Sequence, residues 1–284
     1  SEDYGLIGNM KTAALVNRHD ASIDFMCVPF FDSPSVFCRL LDSQRAGYFA
    51  FKATGIGRAQ KQFYHPSSNV LITRFCGSSG IGQIVDALPI PEKSGHCPLL
   101  VRRAEVVRGR MKFEAVISPA FDYGRQPHSL RRLESGVYEF ESASLSLVLS
   151  SLPSSRSVRW TESIDDSQRV RIEVELEEND SFIIATDTGT STPPSFEAAN
   201  AMIADTIDYW QSWIRKCTYR GRWREDVQRS ALALKLMVFA ETGAIVAAPT
   251  FGLPEHIGGA LNWDYRYAWI RDAAFTVYAF IRIG

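Results

Sequence analysis

Asn262-Trp263-Asp264-Tyr265-Arg266-Tyr267-Ala268-Trp269-Ile270-Arg271-Asp272 runs straight into Ala273-Ala274-Phe275-Thr276-Val277-Tyr278-Ala279-Phe280-Ile281, near the end of the chain. The first eleven residues hold two Trp, two Tyr, two Arg and two Asp. Flat aromatic faces beside forked hydrogen-bonding groups suit a sugar. The rings cover the apolar face of a pyranose, and Asp and Arg bind its hydroxyls. Asp272 falls where a helix begins, a place the helix dipole favours for a carboxylate. On composition alone, an aromatic helix entrance with a local ion pair explains the run equally well.

The helix that follows, residues 272–283, is apolar nearly all round, broken only by Thr276 and Arg282. Such a helix is normally buried on every side. Upstream, residues 196–216 carry Ala199, Met202, Ile203, Ile207, Trp210 and Ile214 at helical spacing, a stripe suited to packing on a neighbour. A second helix is predicted over residues 223–241. The Gly- and Pro-bearing stretch 242–261 is long enough to be a functional loop. Two or three helices cannot cover the last one, so further helical layers are expected.

Before residue 188 the pattern is β. Apolar runs at 13–16 and 23–28 flank the polar 17–22 and predict a hairpin, with His19 a turn residue. Residues 36–41 are read as one helical turn. Strands are predicted at 69–75, 81–88, 99–107 and 111–117, with Arg108-Gly109-Arg110 as a tight turn between the last two. Alternation is clearest at 169–177, where Val170, Ile172, Val174 and Leu176 point one way and charges the other. Ser142-Ala143-Ser144-Leu145-Ser146-Leu147 is read as a further strand with serine outside. Many short strands with regular turns indicate an antiparallel sandwich. The one linker-like run, Thr188 to Pro194, marks the expected domain boundary.

The order of residues in the aromatic run resembles the first substrate-binding segment of glycoside hydrolase family 15, the glucoamylase, glucodextranase and trehalase-like enzymes. Gly221-Arg222-Trp223-Arg224, Thr242-Gly243-Ala244-Ile245-Val246-Ala247-Ala248-Pro249-Thr250 and Leu253-Pro254-Glu255 look like the family's first barrel helix and the loop after it. Tyr4-Gly5-Leu6-Ile7-Gly8-Asn9, Ser22-Ile23-Asp24 and Phe31-Asp32-Ser33-Pro34 look like its N-terminal β domain. The resemblance implies a mainly β chain with α: a large N-terminal antiparallel β-sandwich over residues 1–193, a linker helix over 194–220, and the first two helices of an incomplete (α/α)6 barrel over 221–284. Relatives usually have Gly where this chain has Ala21, often Arg at Phe30, Cys at Ala268 and Arg at Leu261.

The implied activity is inverting hydrolysis of an α-glucosidic bond in trehalose or an α-glucan, with both catalytic glutamates beyond residue 284. No catalytic residue is assigned here, and the piece alone is expected to be inactive. Tyr265, Trp269, Arg271 and Asp272 match the family residues around the terminal, non-reducing glucose. Arg271 and Asp272 would bind hydroxyls; Trp269 and Tyr265 would wall the pocket. Trp263, Asp264 and Arg266 match from further out, Tyr267 is read as a core position, and Glu255 as ordering its loop. The implied partners are the α-glucoside and the rest of the barrel. A non-catalytic carbohydrate-binding or scaffold protein built on the sandwich is the alternative.

A net charge of −1 over 284 residues offers no general attraction to nucleic acid or anionic lipid. Arg102, Arg103, Arg108, Arg110, Arg125, Arg131 and Arg132 are interleaved with strand-like residues and read as a solvated sheet face. Five cysteines and five histidines lack metal-ligand spacing, so neither metal nor cofactor is expected. Cys27 and Cys38 sit in apolar settings and read as small core residues, which fits a reducing, cytoplasmic location. No signal peptide or membrane-length apolar run is expected.

Overall fold

A computed structural model describes residues 3–56, 61–90, 99–189, 192–251, 256 and 258–284. Among the described residues, fifteen antiparallel strands form two sheets that share one strand. The first sheet contains β1 (Tyr4–Gly8), β2 (Ala13–Asn17), β3 (Ile23–Cys27), β4 (Ser35–Phe37), β5 (Tyr48–Ala53), β13 (Arg159–Ile164) and β14 (Val170–Glu177). The second contains β6 (Lys61–Tyr64), β7 (Leu71–Gly77), β8 (Gly80–Ala87), β10 (His128–Arg132), β11 (Tyr138–Ser142), β12 (Ser146–Pro153) and β15 (Ser181–Thr188).

The shared strand is β9, a single run of 19 residues, Leu100–Ser118. Its first part pairs with β8 and β15, its second with β5 and β14. The tight turn predicted at Arg108-Gly109-Arg110 is therefore corrected: the strand changes sheets there and does not reverse. Gly109 takes φ 77° and lies opposite Gly80, where a Cβ would come within 2.4 Å of the Ser79 carbonyl.

Between the sheets lies the main core, with Phe49, Phe113 and Ile172 from one side and Phe75, Phe140 and Phe182 from the other. The alternation read over 169–177 emerges as β14, whose Val170, Ile172, Val174 and Leu176 are all buried. Inward positions of β9 carry Leu100, Ala104 and Val106, and Arg102 shares that face, wholly buried. Its guanidinium donates to both Asp86 oxygens, at 2.7 and 3.2 Å, to the Phe49 carbonyl at 2.7 Å and to the Ala21 carbonyl. Arg102 thus leaves the solvated face assigned to it and ties one sheet to the backbone of the other. Other arginines of that set keep to the surface in ion pairs, such as Arg131 with Glu139 and Arg110 with Glu177. Ala21 takes φ 52°, a left-handed conformation that glycine adopts more readily, with its methyl in the core.

Three more expectations need correction. Residues 36–41 make no helical turn: β4 holds Val36 and Phe37, then a turn returns Cys38 N–H to the Ala46 carbonyl at 2.6 Å. Ser142 to Leu145 is the turn between β11 and β12, closed by the Ser142 hydroxyl on the Leu145 carbonyl at 2.9 Å. The helix expected over 223–241 stops early. After α3 (Arg224–Leu236), Val238 bridges to Ile245 and Phe239 N–H bonds the Ala244 carbonyl at 2.7 Å.

A helix of 19 residues, α2 (Phe196–Ile214), is capped by the Ser195 hydroxyl and follows β15. Ala199 and Ile203 pack on the outer face of the second sheet against Val85, Val101 and Ile183, while Trp210 and Ile214 meet Leu232 and Leu236 of α3. Arg229 on α3 donates to the Ser68 carbonyl at 2.7 Å and lies over the Tyr64 ring. The last helix, α4 (Ile270–Ile283), buries only Thr276; Ile270, Phe275, Tyr278 and Ile281 are exposed by 91%, 69%, 61% and 74%. No helix among the described residues is long and apolar enough to cross a membrane.

Candidate functional site

The aromatic run follows the loop after α3, touches the sandwich through Arg266 and enters α4 at Ile270. Its backbone is held from below. Ala248 N–H donates to the Tyr265 carbonyl at 2.8 Å, Ala247 N–H to the Tyr267 carbonyl at 3.0 Å, and Val246 forms a β-bridge with Ala268. This pairing leaves the Tyr267 side chain 53% exposed, so the core position read for it is corrected.

The structure brings the four predicted side chains together at the surface. Tyr265 and Trp269 stack, with ring centroids 5.2 Å apart and planes 10° from parallel. Trp263 meets Trp269 edge-on at 6.1 Å. The Arg271 guanidinium lies 5.9 Å from the Trp269 ring centre and donates to Asp272 Oδ2 at 3.1 Å. Asp272 sits in the first turn of α4, where no side chain caps the helix and free backbone N–H groups favour its carboxylate. The result is a flat aromatic platform beside a guanidinium–carboxylate pair with open donor and acceptor capacity. Arg271 and Asp272 retain 66% and 32% side-chain exposure, enough to exchange each other for hydroxyl groups.

Arg266 points the opposite way, inward, and is only 6% exposed. Its Nε donates to Asp264 at 3.0 Å, and one terminal nitrogen donates to Asp264 Oδ2 at 2.7 Å and to the Tyr123 hydroxyl at 3.0 Å. The other donates to the Ser33 carbonyl at 2.8 Å and to Cys27 Sγ at 3.2 Å. Burial works against the charges of Arg266 and Asp264, but the hydrogen bonds between them prevail: the Asp264 carboxyl falls below its usual range and the guanidinium is held protonated. Burial pushes the Cys27 thiol up to about 12 in spite of the neighbouring Arg266, so it remains a thiol. Asp264 completes the link, because its carbonyl accepts the Trp269 indole N–H at 3.4 Å.

The motif sets Arg266 further out than Tyr265, Trp269, Arg271 and Asp272, and nothing in it points to the partners of Arg266. Ser33 stands in the Phe31-Asp32-Ser33-Pro34 block, whereas Tyr123 falls in the motif-poor middle of the chain. Tyr123 belongs to a four-residue turn, α1 (Phe121–Gly124), in which Asp122 and Tyr123 have left-handed φ of 50° and 58°. Glu255, with Leu253 and Pro254, lies outside the described residues, as does Cys97.

Two sheets sharing a strand, followed by helices that open on an aromatic, ion-paired surface, define a β-sandwich protein with a helical C-terminal segment. Residues 2–210 match the family model described as trehalase-like, N-terminal, and residues 221–284 match that of glycosyl hydrolases family 15. A trehalase of Thermoplasma acidophilum is 32% identical over 268 residues, covering 92% of this chain and 44% of the relative. One from Thermoplasma volcanium is 33% identical over 291 residues, covering 99% and 44%. Trehalase 1 of Sulfolobus acidocaldarius is 33% identical over 284 residues, covering 99% and 45%. The chain belongs to glycosyl hydrolase family 15, as a trehalase-like N-terminal region. It spans less than half the length of the curated relatives it matches.

Proposed function

We propose that this chain is the N-terminal portion of an inverting α-glucoside hydrolase and that its aromatic run binds the terminal glucose of trehalose or a short α-glucan. The observation that carries this reading is the Tyr265–Trp269 stack beside the exposed Arg271–Asp272 pair, in a member of this family. The stacked rings would take the apolar face of the glucose, and Arg271 and Asp272 would trade their mutual bond for its hydroxyls. Residues 1–193 would be the sandwich, 194–220 the linker helix and 221–284 the opening of an (α/α)6 barrel. The relatives' greater length supports further helices over the apolar face of α4.

Inversion needs one carboxylic acid to protonate the leaving oxygen and a second carboxylate, ~6.5–9.5 Å away, to activate water on the opposite face. We assign both groups to the part of the barrel outside this chain, so residues 1–284 alone should bind sugar weakly and hydrolyse none. The test is to assay the longest reading frame containing this chain, beside residues 1–284, on an α,α-linked disaccharide and an α-1,4-linked oligomer. Release of the β anomer by the longer protein and no release by the shorter is expected. First release of the α anomer would sink inversion, and glucose release by residues 1–284 would sink the division of labour.

A further inference from the structure

All five N–H groups of the Arg266 guanidinium are engaged: Nε on Asp264, one terminal nitrogen on Asp264 and Tyr123, the other on Ser33 and Cys27. A planar fork with every donor committed cannot rotate or slide without giving up a bond. Of its acceptors, Cys27 ends β3, Ser33 lies in the loop between β3 and β4, Tyr123 lies in the α1 turn, and Asp264 belongs to the aromatic run. On the far side of Asp264, the carbonyl receives the Trp269 indole N–H, and Trp269 stacks on Tyr265 and lies under Arg271. Hydrogen bonds therefore lead without a break from the Tyr123 hydroxyl to the centre of the platform. Tyr123 is itself fixed, its ring edge-on to Phe251 at 5.9 Å and Phe251 edge-on to Phe25 of β3 at 5.4 Å.

We propose that Tyr123 and Arg266 are a positioning couple through which the sandwich sets the orientation of the saccharide platform, so that a tyrosine in the α1 turn governs sugar affinity without touching sugar. The proposal rests on reading Tyr265, Trp269, Arg271 and Asp272 as the glucose subsite. Arg266 cannot be replaced by lysine in this role, since an ammonium is a point donor and would release Asp264, Tyr123 or Ser33. Tyr123→Phe is the gentler change, removing one acceptor and leaving the ring contacts in place.

The test has two readouts. In ¹⁵N-labelled residues 1–284, the Trp269 indole N–H signal, assigned by its loss in Trp269→Phe, should move by more than its linewidth in Tyr123→Phe and in Arg266→Lys, with Tyr123→Phe still unfolding in a single cooperative transition. In the complete protein, Tyr123→Phe should raise KM for the α-glucoside by roughly 3–10-fold with kcat within about twofold, because platform misplacement weakens binding more than chemistry. A stationary indole signal in both variants overturns the coupling, as does a fall in kcat at unchanged KM. Absence of glucose release by the unmodified complete protein would instead overturn the hydrolase reading, and the indole signal would still decide the coupling.

Discussion

Two buried arginines divide the molecule into regions of different character. Arg102 lies inside the sandwich, its fork closed on Asp86 and two carbonyls, surrounded by a core to which both sheets contribute. Arg266 lies where the aromatic run meets the sandwich, and beyond it α4 holds its apolar side out to solvent. The first guanidinium serves a layer pair whose apolar faces are already covered. The second serves a segment whose outer half is uncovered. Burial of a charge thus has two uses here: in one it joins two sheets, in the other it aims a surface.

That contrast can be broken by removing each charge in turn. Arg102→Met leaves Asp86 buried without its cation, so a loss of about 3–5 kcal/mol in denaturant unfolding of residues 1–284 is expected. Adding Asp86→Leu should restore most of it, and a single variant as stable as the parent would refute the joining role. Arg271→Ala removes an exposed group and should leave the unfolding midpoint in place. In the complete protein it should cost ~2–4 kcal/mol of transition-state binding, read as the fall in kcat/KM. Equal kcat/KM in variant and parent would remove Arg271 from the site.

The smallest effect is expected at Ala21, where Arg102 holds the carbonyl of a residue in left-handed conformation. Ala21→Gly relieves roughly 1–2 kcal/mol of steric cost. It forfeits about 0.4–1 kcal/mol through greater unfolded-chain freedom, and about 0.8 kcal/mol of methyl burial. The sum is near zero, so a shift within about 0.5 kcal/mol is expected from chemical denaturation. A larger gain would mean that the methyl contributes little to the core.

Local pattern carried much of this architecture. The alternation in β14, the β2–β3 hairpin and the stripe of α2 were all legible, because each depends on neighbours close in sequence. The turn wrongly placed at Arg108-Gly109-Arg110 shows the limit. A glycine between two alternating runs looks the same whether the chain reverses or crosses to another sheet, and only pairing with β5, β8, β14 and β15 decides. Arg102 was misread for a similar reason. Its register put it among inward positions, but the acceptors that make burial tolerable lie on Asp86, Phe49 and Ala21, remote in sequence. At the candidate site the motif named Tyr265, Trp269, Arg271 and Asp272, and the structure draws them together. Tyr123 carried no motif, and its bond to Arg266 spans 143 positions.

The uninterrupted course of β9 bears on how the protein can be divided. A chain cut at Gly109 would place one half-strand in each fragment, and each fragment would own an incomplete layer with a raw edge where its missing partner belongs. Split reporters and insertions should therefore be sited at surface turns such as the one between β13 and β14, since a cut in the common strand unravels both walls at once.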